Sequence, residues 1–174
     1  MELAKLVLLC IASLCGYGAL LGAASATLCP EAFTLGRPPA FEHWPVIALG
    51  TVWGALDLLV PATSAGLALA IAANVGPRPA LKAAFFRRMI PGLLGILAVS
   101  SLAGGVAGFV ATRRGLHVIV GPMKDAVPAE RHPLLGAVSW ASLSGLLALF
   151  AVALVLAAWT WRKRAYFEEL LRNR

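Results

Sequence analysis

Among the residues able to do chemistry, one carboxylate stands apart. Asp57 lies inside an apolar run that extends from Trp44 to Asn74, and Pro61 follows it four residues later. An ionised acid at the centre of a lone membrane helix costs about 2.5 to 3.5 kcal/mol on insertion scales, so something must offset it. Pro61 has no N–H to give to the carbonyl of Asp57, so a helix here is expected to kink and to leave a free acceptor beside the carboxylate. That combination suits a proton or cation relay centred on Asp57, with Thr51 as a helper and Thr63 and Ser64 at the bend. The same residues also fit a structural part. Thr63 and Ser64 can return hydrogen bonds to the backbone, and Asp57 can pair with an Arg or His of an outer loop. Depth decides between the two. A helix entering at Trp44 puts Asp57 near mid-membrane, whereas a span of about 20 residues ending at Asn74 puts it about a turn below the surface.

A second group is the histidines. His43, His117 and His132 all fall between apolar runs, and Glu42 and Glu130 accompany two of them. Imidazole and carboxylate gathered on one side could hold zinc, copper or the edge of a haem. None of these residues has the i, i+4 spacing of helical metal sites, and solvated loop histidines are the plainer reading. Cys10, Cys15 and Cys29 form no C-x-x-C; Cys29, just before Pro30, reads as a small apolar residue. Nucleotide loops, hydrolase elbows and membrane metalloprotease motifs are missing. One buried acid falls short of the two cooperating polar groups that catalysis within a bilayer usually needs. A non-enzymatic role without a cofactor is therefore expected.

The elements that position these residues follow from the solvent. The 174 residues are 60% hydrophobic and 13% charged, with a mean hydropathy of +0.83, more apolar surface than a soluble fold of this size can hide. A bilayer core about 30 Å thick needs about 20 apolar residues of helix. Four runs qualify: Leu6 to Leu28, Trp44 to Asn74, Met89 to Ala111 and Leu134 to Trp161. The expected fold is an all-α, polytopic bundle of four transmembrane helices forming one membrane domain over residues 1–174. The first run has a rival reading as a cleaved signal peptide, because Ala24-Ser25-Ala26 fits a small-residue cleavage site, but its apolar part is long for one.

The net charge of +7 would suggest nucleic acid in a soluble protein, but here the cations cluster at the ends of apolar runs, which is membrane topology. With a cytoplasmic amino terminus, ten Lys and Arg fall inside (Lys5, the Arg78–Arg88 stretch, the Arg162–Arg174 stretch) and five outside (Arg37, Arg113, Arg114, Lys124, Arg131). That bias favours both termini in the cytoplasm of a cell inner or plasma membrane. Ala80 to Arg88 and Ala165 to Arg174 mix Phe and Leu with cations, as short amphipathic helices lying in the headgroup layer would. Trp44, Trp159 and Trp161 suit the interfacial belt. Trp53 and Trp140 suit packing within the bundle.

The chain also matches itself. Leu8 to Gly16 resembles Ile96 to Gly104 at an offset of 88, and Trp53, Leu56 and Asp57 fall opposite Trp140, Leu143 and Ser144 at an offset of 87. A duplicated helical hairpin, with repeats near 1–88 and 89–174, would relate the halves by a pseudo-two-fold axis along the membrane normal. Small residues at four-residue spacing recur in every span: Gly18 and Gly22; Gly50 and Gly54; Ser100, Gly104 and Gly108; Ala137, Ala141 and Gly145. Such faces bring helices close, within the bundle or against a membrane-protein partner or second copy. The leading functional expectation is a non-enzymatic subunit or accessory factor of a membrane assembly. A small proton- or cation-coupled transporter using Asp57 is the alternative, and a metal- or haem-binding redox subunit the third.

Overall fold

The computed structural model describes residues 2–35, 37–38, 43–116, 119 and 122–172. They form long helices and short connecting ones: α1 (Glu2–Leu28), α2 (Glu31–Thr34), α3 (Val46–Asn74), α4 (Ala83–Arg87), α5 (Ile90–Arg113), α6 (Pro122–Ala126), a 3-10 turn (Ala129–Arg131) and α7 (His132–Arg172). No strand occurs among the described residues. Four of the helices, α1, α3, α5 and α7, are long and apolar enough to cross a membrane.

The long helices pair in chain order, α1 with α3 and α5 with α7. Apolar helices gain little from burying apolar surface against one another in lipid, so close approach depends on small residues. In the first hairpin Gly18 faces Gly54 and Gly22 faces Gly50. A methyl group on Gly22 would fall on the Gly50 carbonyl oxygen and within 2.9 Å of Gly54 Cα. In the second, Gly104 packs on Trp140 and Ser144, and Gly108 on Gly136 and Trp140. The small-residue faces of the sequence are thus used inside the hairpins. Gly16, on the same helix as Gly18, has open space where a side chain would be.

Between the hairpins the main seam is α3 against α7. At the level of Leu14, Ala62, Leu97 and Leu149 all four long helices meet in one cluster. At the end that carries the chain termini, Leu6, Leu69, Ala73 and Phe86 form a second cluster, and Phe85 stacks on Trp159 with ring centroids 5.6 Å apart. Arg164 closes the seam there. It is fully buried, and its guanidinium donates to the carbonyls of Ala72 (2.8 Å), Val75 (2.8 Å), Arg78 (2.7 Å) and Pro79 (3.0 Å). These oxygens lie at and just beyond the carboxyl end of α3, where unpaired carbonyls concentrate negative charge. Arg78 completes the closure, lying over the Trp161 ring at 4.6 Å and bonding Glu168 at 3.3 Å.

Two elements differ from the sequence expectation. Ala165 to Arg172 is not a separate interfacial helix but the continuation of α7, which runs unbroken for 41 residues, about 60 Å. The reason is local: no Gly or Pro interrupts Trp161 to Arg172, and Ala, Glu, Leu and Arg favour helix. In the Ala80 to Arg88 stretch the helix is only the five residues of α4, tied to α1 by the Ala83 N–H donating to Glu2 at 3.1 Å. Pro61 does not end α3, which is helical on both sides of it.

A cleft at the far end of the bundle

Toward the end opposite the termini, a cleft of about 790 Å³ opens between the first hairpin and α7. Gly18, Gly22, Gly54 and Leu58 form one wall; having no side chains, these three of the four glycines that zip the first hairpin also leave the space. Leu135, Val138, Leu146 and Leu149 of α7 form the other. At its base Tyr17 donates a hydrogen bond to the buried Ser101 hydroxyl at 2.8 Å, linking α1 to α5. Phe33, Ile119 and Met123 cover it from the far-end segments. Those segments are fixed by a cluster of Cys29, Ile119, Val127 and Leu135, and by Arg131 donating to Glu31 at 2.7 Å. The edge residues Asp57, Ser142 and Leu143 are exposed, so the cleft opens sideways between α3 and α7.

The polar feature of the wall is an ion pair. Arg37, in the segment after α2, reaches back to α3 and chelates Asp57 with both terminal nitrogens, Nη1 to Oδ1 at 2.7 Å and Nη2 to Oδ2. Its guanidinium also lies over the Trp53 ring, one helical turn before Asp57, at 5.4 Å. The planar fork of Arg matches a carboxylate in this two-point way, which Lys could not. Asp57 lies eleven residues into α3, about 17 Å along its axis. Of its side chain, 45% is uncovered by protein. The pair is therefore open on one side, where water or a polar solute can reach it.

The remaining residues singled out in the sequence are placed as follows. Thr63 and Ser64 donate to the carbonyls of Leu59 (2.7 Å) and Val60 (2.9 Å), and Thr51 to that of Ile47 (2.8 Å). All three hydroxyls are engaged on their own helix, those of Thr63 and Ser64 in the turn around Pro61 and that of Thr51 ten residues before it. None of them lines the cleft with Asp57. Glu42 and His117 lie outside the described residues. His43 and Glu130 are exposed, and the His132 ring nitrogen bonds the Val127 carbonyl at 3.0 Å. Among the described residues no three of His, Cys, Asp and Glu come together.

Sequence reasoning did not single out Arg37, Tyr17 or Ser101. Arg37 carried a weak signal, a lone cation in a Pro-rich segment ahead of the only span with an internal acid. Tyr17 and Ser101 carried none beyond being polar in apolar runs. Compared with protein-family models, curated proteins and solved structures, the chain matches none.

Proposed function

We propose that this chain is a non-enzymatic, multi-pass protein of a cell inner or plasma membrane, with both termini cytoplasmic, that works by holding an amphiphilic molecule in the far-end cleft. The cleft carries this reading. Its volume lies in the range of small-molecule sites, its walls are mostly aliphatic, and one charged pair sits at its open edge. Because the small-residue faces are used within the hairpins, the proposal places function in the cleft. Accessory service to a membrane assembly remains compatible with it, the bound molecule being what is presented. The orientation rests on the Lys and Arg bias, which puts the cleft in the outer half of the membrane.

A duplicated hairpin would give the two halves a common crossing, although the matched Gly16 and Gly104 differ, the first facing open space and the second packed on Ser144. Shifting the Gly18–Gly54 crossing by the two sequence offsets lands on residues 106 and 141, and Gly105 lies opposite Ala141 with a would-be methyl contact of 3.4 Å. In this reading the second hairpin kept the crossing while the first gained Asp57 where its counterpart has Ser144.

The test is to fill the cleft. Ser142→Trp places an indole in the opening, and lipid retained through purification, read by native mass spectrometry of the detergent-solubilised protein, should fall to background. Equal retention by wild type and variant would end this reading. The placement of Asp57 on the cleft wall also keeps a cation-coupled transporter as a second reading. There, Asp57→Asn should abolish proton- or cation-dependent flux in proteoliposomes; flux equal to wild type would remove it.

A further inference from the structure

The charged pair at the cleft edge determines what kind of amphiphile fits, provided the cleft is an amphiphile site at all. Arg37 and Asp57 already satisfy each other, so a ligand headgroup must displace part of a two-point pair. An anionic headgroup could take Arg37, but it would leave the Asp57 carboxylate without its partner and beside a second negative charge. A cationic headgroup would strand Arg37 in the same manner. A headgroup bearing both charges replaces each partner with an equivalent, so neither residue is left uncompensated. The two charged residues stand at the open edge while the space behind them, between Leu58, Val138, Leu146 and Leu149, is aliphatic and suited to a hydrocarbon chain. The exposed edge residues stand on α3 (Asp57) and α7 (Ser142, Leu143), so in a bilayer the opening between these helices would admit a molecule from the side.

We propose that the cleft selects a zwitterionic phospholipid from the bilayer, with phosphate on Arg37, ammonium on Asp57 and an acyl chain along α7. The Trp53 ring under Arg37 holds the guanidinium in place when the carboxylate is exchanged for phosphate.

The experiment offers the purified full chain an equimolar mixture of phosphatidylethanolamine and phosphatidylglycerol with the same acyl chains, and reads the bound lipid by native mass spectrometry. Wild type should favour phosphatidylethanolamine by about fivefold or more. Asp57→Asn leaves Arg37 without its carboxylate, so the preference should reverse toward phosphatidylglycerol. Exchanging the pair, Arg37→Asp with Asp57→Arg, keeps an ion pair but puts each charge against the wrong end of the headgroup, and should abolish the preference. Retention of both lipids equally by wild type, still blocked by Ser142→Trp, would overturn the zwitterion inference and leave the amphiphile cleft standing. Retention that Ser142→Trp does not change would overturn both. A wild-type preference for phosphatidylethanolamine that survives Asp57→Asn unchanged would show that the pair does not read the headgroup.

Discussion

Two arginines bind α3, Arg164 at its carboxyl end and Arg37 at Asp57 eleven residues from its start, and they are held in opposite ways. Arg164 has no exposed surface, and its four donor contacts go to backbone carbonyls at the end of the helix. Arg37 keeps 30% of its side chain exposed and binds a side-chain carboxylate that is itself 45% exposed. Backbone carbonyls at a helix end cannot rotate away, take up a proton or be replaced without unwinding the helix, so the contact at Arg164 is a fixed closure. A carboxylate on an open face can be exchanged for another anion. One residue type thus clamps α3 to α7 at the terminal end and leaves an adjustable edge where the helices part around the cleft.

The largest expected effect breaks the fixed end. Arg164→Met keeps the apolar stem but leaves the carbonyls of Ala72, Val75, Arg78 and Pro79 without this donor, a loss of about 3 kcal/mol or more. It should appear as a large drop in the midpoint of denaturation in mixed detergent micelles. Arg164→Lys should recover only part, because an ammonium lacks the planar fork that reaches four oxygens at once. A Met variant as stable as wild type would mean that the carbonyls find other partners and that the closure is not built on Arg164. Next in size is the zipper that holds the first hairpin together independently of either arginine. Gly22→Val drives a side chain into the Gly50 carbonyl and should destabilise by about 2 kcal/mol or more, whereas Gly16→Val, in open space, should change little.

How far each end could be read from the sequence follows from the same contrast. The four long apolar helices were legible because a bilayer sets the length of an apolar run, and the pairing of small residues was legible because helices in lipid need them. Asp57 stood out as a lone acid. Arg37 did not stand out as its partner, because the pairing depends on the path of the segment after α2, which no local periodicity encodes. Arg164 was harder still. It sits in the run Arg162-Lys163-Arg164, which reads as a basic flank, yet Arg162 is exposed, Lys163 half-buried and Arg164 buried. Only the rotation of α7 relative to α3 distinguishes them, and that is a tertiary fact. The unbroken α7 was within reach: a separate interfacial helix after Trp161 needs a breaker, and the sequence has none.

A smaller effect of opposite sign sharpens the account of the closed end. Thr160 lies one turn before Arg164, fully buried, and its hydroxyl has no partner among the described residues. A buried hydroxyl without a partner is a net loss. Thr160→Val is nearly the same shape and should raise stability by about 1 kcal/mol. A decrease in the denaturation midpoint would indicate that the hydroxyl is bonded in the folded protein, through water or lipid.

The smallest expected effect concerns the open end and decides what its exposure means. A double-mutant cycle of Arg37→Ala and Asp57→Ala isolates the coupling between the two side chains from whatever each does alone. If the open side of the pair meets water or a polar headgroup, the charges are screened and the coupling should be under about 1 kcal/mol, as for exposed pairs elsewhere. If hydrocarbon covers that side, removing either partner strands a bare charge and the coupling rises to several kcal/mol. The expected result is the small value, measured by the same detergent denaturation as for Arg164→Met. A large coupling would make Arg37 a second fixed clamp, erase the contrast with Arg164 and take away the exchange on which headgroup recognition depends.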